Sequence, residues 1–157
     1  MNIKLVVIGK LKEKYLRDGC DEYIKRLSKF CNLKIVELDE FKLSDKPSQK
    51  EIDNALSNEA KAISKHCEGF VISMCIEGTQ ISSEQLASKI DTCGINGYST
   101  ITFIIGSSFG LDNSIKKLSD FKLSISKMTF THQIARMILL EQIYRAFQIN
   151  NNGKYHK

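Results

Sequence analysis

The chain has 157 residues, 42% of them apolar and 26% charged, with one proline and a formal net charge of +5. That is about one domain's length with ample material for a core. It excludes a disordered chain, and no apolar run approaches the roughly 20 residues of a membrane span. The cysteines (Cys20, Cys31, Cys67, Cys75, Cys93) are scattered, with no C-x-x-C and no histidine at ligand spacing, so no metal is expected. Their odd number fits thiols kept reduced in a cytoplasm, where they pack as small apolar residues.

Elements alternate along the chain. Ile3–Ile8 is a short apolar run closed by Gly9, too short and too soon polar for a signal peptide, and reads as a first strand. Glu13–Phe30 carries Tyr15, Leu16, Tyr23, Ile24, Leu27 and Phe30 at helical spacing. Leu33–Leu38 alternates as a strand, with Leu33, Ile35 and Glu37 on one face. Pro47 is expected in the first turn of a second helix, Ser48–His66. Phe70–Ile76 is a strand, with a break expected at Glu77-Gly78-Thr79.

Ser82 or Ser83 can cap a helix over Glu84–Cys93, closed by Gly94 and Gly97. Thr100–Ile105 is apolar or β-branched almost throughout, the pattern of a central strand buried on both faces. A short helix over Ser114–Asp120 and a last strand over Leu123–Ser126 follow, then a long helix over Gln133–Ile149 with Thr131 as its cap. Strands separated by helices give an α/β fold with a parallel sheet flanked by helices, as one domain over residues 1–157.

Charge is unevenly placed. From Met1 to Asp120 the 17 basic residues balance 17 acidic ones, so the excess lies in the last 37 residues. There Lys122, Lys127, Arg136, Arg145, Lys154 and Lys157 face Glu141 alone, an electrostatic footprint for an anionic partner. The same segment holds the most apolar helix, with 10 of the 14 residues from Ile134 to Phe147 apolar. Such a helix needs cover on most sides, from its own domain or from a second subunit.

Two loops could bind a ligand. Ile104-Ile105-Gly106-Ser107-Ser108-Phe109-Gly110-Leu111 follows the buried strand, where ligands of open α/β sheets sit. Its glycines would let backbone approach a ligand, although a plain strand-to-helix turn fits equally. Ser124 to Gln133 forms a glycine-free bend; it either lines a pocket or connects elements with Met128 and Phe130 plugging the core. Arg136, in the first turns of the long helix, is a candidate for phosphate or catalytic contact. The tail Asn150–Lys157 frays by default, but Tyr155 and His156 between Lys154 and Lys157 could stack on a base and hold its backbone.

Together, Gly9-Lys10-Leu11-Lys12-Glu13-Lys14-Tyr15, the Gly106 loop, the bend through His132-Gln133, Glu141-Gln142-Ile143-Tyr144-Arg145-Ala146-Phe147 and Tyr155-His156-Lys157 resemble the ribosomal RNA large-subunit methyltransferase H family, from end to end. The resemblance implies a SPOUT-type fold with a C-terminal deep trefoil knot, an obligate homodimer and S-adenosylmethionine (SAM) as cofactor. The implied reaction is methylation of N3 of a pseudouridine in large-subunit rRNA of the assembled ribosome. By position, it places cofactor contacts on Met74, Gly106, Ile125, Ser126, Lys127, Met128, Thr129 and Phe130. The family more often has Leu at Met74, a second Gly at Ser107 and Pro at Thr131.

For that chemistry Arg136, Tyr155 and His156 are the catalytic candidates, with His132, Lys154 and Lys157 on RNA. A cation from Arg136, Lys154 or Lys157 would stabilise the imide anion, His156 is the candidate base, and Tyr155 would stack on or hydrogen-bond the target base. Two rivals are an RNA-binding protein that keeps the fold without transfer, and a Rossmann-like enzyme on a small molecule.

Overall fold

The computed structural model describes residues 1–157. Five parallel strands, β1 (Asn2–Ile8), β2 (Asn32–Leu38), β3 (Phe70–Gln80), β4 (Thr100–Ile105) and β5 (Phe121–Ser124), form one sheet in the order β2-β1-β4-β3-β5. Five helices connect and follow them: α1 (Lys14–Leu27), α2 (Gln49–Ser64), α3 (Ser83–Ile95), α4 (Asn113–Leu118) and α5 (His132–Asn150).

Strand alternation sorts the core into two layers. On one face Ile3, Leu5 and Val7 of β1 and Ile101, Phe103 and Ile105 of β4 pack with Cys20 and Leu27 of α1, Leu86 and Ile90 of α3, and Leu139, Leu140 and Ile143 of α5. On the other, Val6, Ile8 and Ile104 meet Ala60 and Ile63 of α2 and Ile115 of α4. Every residue of β4 is buried, as its composition requires of a central strand.

Helix starts follow local chemistry. Ser48 and Ser82 each close a reciprocal capping box, with Glu51 and Gln85, and Thr131 accepts from the Ile134 N–H. Pro47 therefore precedes the cap of α2 rather than sitting in its first turn. Gly94 lies inside α3, and the turn that ends that helix uses Gly97 at φ 85°.

The larger departure is at β3, which runs on to Gln80 with no break at Glu77-Gly78-Thr79. Leu123 of β5 pairs with both Met74 and Thr79, so residues 75–78 bulge out of register. A Cβ on Gly78 would lie 2.7 Å from the Leu123 carbonyl carbon, so this glycine admits a passing strand rather than a turn. β5 also begins two residues early, because Asp120 ends α4 by joining the sheet edge: its N–H donates to the Val71 carbonyl and its carboxylate accepts from the Val71 N–H.

Candidate active site

A cavity of about 330 Å³ opens at the carboxyl ends of β3, β4 and β5. Met74 of β3, the loop after β4 through Gly106 and Ser107, and the bend after β5 with Ile125, Ser126, Met128, Thr129 and Phe130 form its walls. A second hollow of about 180 Å³ shares Met74, Leu123, Ser124 and Ile125 with it and continues between α3 and α5 to Ser82, Ile138 and Gln142. A wider groove of about 580 Å³ beside Met1, Phe30 and Asn32 lies at the amino ends of β1 and β2, the wrong end of such a sheet for its ligand.

The bend keeps its shape without glycine through side-chain bonds. Ser124 Oγ donates to the Ser126 carbonyl at 2.9 Å, and Ser126 Oγ accepts from the Met128 N–H at 3.0 Å. Met128 and Phe130 do not plug the core: they are 73% and 38% exposed, beside exposed Ile76 and Phe109 at the same mouth. Gly106 is required for a different reason from ligand approach. A Cβ there would sit 2.1 Å from the Gly110 carbonyl oxygen, so its role is to let the loop fold on itself. Ser107 is not among the residues with positive φ, so its side chain enters without backbone strain.

Below Ser107 lies a group that the sequence reading passed over. Glu59 of α2 is 6% exposed; its Oε2 accepts from Ser107 Oγ at 2.9 Å and its Oε1 from the Phe41 N–H at 3.1 Å. Burial pushes its carboxyl above the usual range, against the lowering effect of both hydrogen bonds. At the rim, Lys116 pairs with Glu77 and holds that carboxyl below its usual range.

The remaining candidates stand apart from this cavity. Arg136 is not on an open basic loop: it is 6% exposed, its Nη1 donates to Glu37 Oε1 at 2.7 Å, and its Nε is unpartnered. The apolar neighbours of α5 turn it inward, and Glu37, on the face of β2 the alternation assigned, meets it. His132 lies at the start of α5 near Gly9.

The tail does not fray. Tyr155 OH donates to Glu141 Oε1 at 3.0 Å, its ring packs edge-on against Tyr144, and His156 Nε2 lies 2.8 Å from Glu84 Oε1. Burial, then the bonds to Tyr23 and Glu141, push the Tyr155 phenol well above its ordinary range. Lys127, Lys154 and Lys157 line no part of the cavity. α5 is covered within its own chain by α1, α3 and the tail, and none of its residues from His132 to Ile149 is exposed. No three His, Cys, Asp or Glu side chains converge as a metal site.

The profile of the family described as predicted SPOUT methyltransferases matches residues 1–156. The chain belongs to the SPOUT methyltransferase family. It is 49% identical over 160 residues to ribosomal RNA large subunit methyltransferase H of Clostridioides difficile, and 50% identical over 159 residues to the protein of that name in Bifidobacterium adolescentis. Both matches cover 100% of each chain. Among solved structures, a probable methyltransferase from Bordetella pertussis shares the fold at TM-score 0.55 and 12% identity, over 92% of this chain and 93% of that one. A probable methylase family protein from Haemophilus influenzae does so at TM-score 0.54 and 17% identity, over 99% and 70%.

Proposed function

We propose that this chain is a SAM-dependent methyltransferase acting on N3 of a pseudouridine in large-subunit rRNA within the assembled ribosome, in the cytoplasm and as a homodimer. The observation that carries the reading is the cavity itself: seven of the eight residues assigned to the cofactor from the sequence (Met74, Gly106, Ile125, Ser126, Met128, Thr129 and Phe130) line it. Its volume lies in the range of small-ligand sites. Met74, Leu123 and Ile125 offer apolar contact, and the loop backbones offer hydrogen bonds. Full-length relatives named for rRNA methylation support the substrate. Lys127, the eighth residue, faces outward in this reading and joins the basic surface.

When bound, SAM supplies an electrophilic methyl group on a sulfonium. The chain's own residues would have to align the acceptor nitrogen with that methyl group, keep water out and stabilise the nitrogen as its proton leaves. Alignment is worth roughly 7–11 kcal/mol in well-oriented systems. The apolar walls exclude water, and a nearby cation stabilises the developing imide anion. Lys154 and Lys157 are exposed and suit that task, together with His132 on the RNA. Arg136 keeps a place in catalysis through Glu37 and the start of α5, a positioning role that its burial favours. His156 is the proposed base and Tyr155 the contact to the target base.

Tyr155 and His156 sit outside their own chain's cavity, and apolar Ile76, Phe109, Met128 and Phe130 surround its mouth. A second copy covering that mouth and bringing its tail to the site accounts for both features. Threading of the last segment as a trefoil knot is part of the same proposal.

Tritiated-methyl transfer from SAM into ribosomes and into stripped rRNA tests the reading. Label in the pseudouridine base of large-subunit rRNA, with more from ribosomes, is expected. Tight RNA binding with no label in either would make the chain an RNA-binding protein that retains only the fold.

A further inference from the structure

The buried carboxylate of α2 is used by none of the steps above. Glu59 is the only charged residue besides Arg136 in the buried set, and unlike Arg136 it has no cationic partner. A charge held in such a place without a counter-ion disfavours folding, so its presence points to a role beyond stability. Its two oxygens reach two different loops. One accepts from the Phe41 N–H in the segment after β2, and the other from Ser107 Oγ in the loop after β4. Both loops stand at the carboxyl edge of the sheet, and Ser107 lines the cavity while Glu59 does not.

The Ser107 loop is held at its far end by Leu111, which is buried in the core layer of α2 and α4, and between the two ends it has few ties. The Gly110 N–H donates to the Ser107 carbonyl, and Gly106 is pressed against the Gly110 carbonyl, so the turn is tight within itself. The Glu59–Ser107 bond is the side-chain bond that anchors it to a helix. Without it Ser107, Ser108 and Phe109, which lie between the end of β4 and the Leu111 anchor, lose their side-chain tie to α2.

We propose that Glu59 is a positioning residue for the cofactor: through Ser107 it fixes the loop after β4 in the shape that receives SAM, and through Phe41 it locks the loop after β2 to the same point. The inference rests on the assignment of this cavity to SAM. A carboxylate does this where a hydroxyl would not, because one side chain accepts from two donors in different loops at once. Its raised pKa is the mark of the desolvation that accompanies the arrangement.

The test is SAM binding by calorimetry on the full chain, alongside steady-state transfer. Glu59→Gln keeps both contacts, its amide oxygen accepting from Phe41 and its NH₂ donating to Ser107, and should bind SAM within about twofold of wild type. Glu59→Ala and Ser107→Ala should each weaken binding about tenfold, the size of one lost buried hydrogen bond. The Glu59→Ala enzyme should raise the KM for SAM by the same factor, with kcat at saturating SAM preserved. The double variant should bind no more weakly than Glu59→Ala alone, since both act on one loop. Variants that lose thermal stability yet bind SAM like wild type would overturn the inference and leave the cavity assignment standing, as would additive losses. Should Glu59→Ala not fold, Ser107→Ala and Glu59→Gln decide the matter alone. Failure of the wild type itself to bind SAM would overturn the cavity assignment and this inference with it.

Discussion

Gly106 and Arg136 show how far a residue's identity discloses its work. A glycine after a buried strand signals close approach, and the position was legible as part of a site; what approaches is the Gly110 carbonyl, a long-range detail of the turn that no local pattern contains. Arg136 read as a free cation because no acidic residue stands near it in sequence before Glu141, while its partner Glu37 is 99 residues away. Removing Arg136 leaves that carboxylate unpaired but open to solvent. Arg136→Ala should therefore lower stability by about 1–2 kcal/mol, mostly through the packing lost with the buried arginine stem. It should also cut the single-turnover rate at least tenfold with SAM affinity intact, read by calorimetry beside rapid quench. Lost SAM affinity at an unchanged rate would place Arg136 in the cofactor site instead.

At the scale of elements, the strands and helices with strong periodicity were legible to within a few residues, and so was the cap at Thr131. β3 was not, because Gly78 carries the same letter whether it makes a turn or lets β5 pass at 2.7 Å. The order of the tail was not legible for a similar reason: its anchors on α3 and α5, Glu84 and Glu141, are 72 and 14 residues distant. Ser82, the backbone and His156 hold the Glu84 carboxyl down at about 2, against an ordinary 4.5. A depressed carboxyl contributes stability above its unfolded pKa and loses it as pH falls through the folded one. The thermal midpoint of wild type should exceed that of Glu84→Gln at pH 6, and the two should converge as pH drops from 4.5 towards 2. Parallel curves through that window would show that the Glu84 contacts do not persist in solution.

For the whole molecule, the +5 charge gathered in the last 37 residues and the full-length match to rRNA methyltransferases point to one large anionic substrate. Of the two covers that the apolar composition of α5 allowed, its own domain or a second subunit, the chain itself supplies one; apolar surface is left open at the cavity mouth. A dimer through that mouth predicts that Met128→Lys, which puts a charge on a side chain 73% exposed in the single chain, yields monomers by sedimentation at micromolar concentration and abolishes transfer. A monomeric wild type, or a charged variant that remains dimeric and active, would move the interface elsewhere.

The most direct measurement is calorimetric titration of the purified chain with SAM, beside Gly106→Ala as the control whose added Cβ cannot fit against Gly110. Saturable one-to-one binding to wild type, lost or weakened at least tenfold in the variant, is the predicted result. No heat of binding to wild type at millimolar SAM, or equal affinity in both proteins, would contradict the assignment of the carboxyl-edge cavity to the methyl donor.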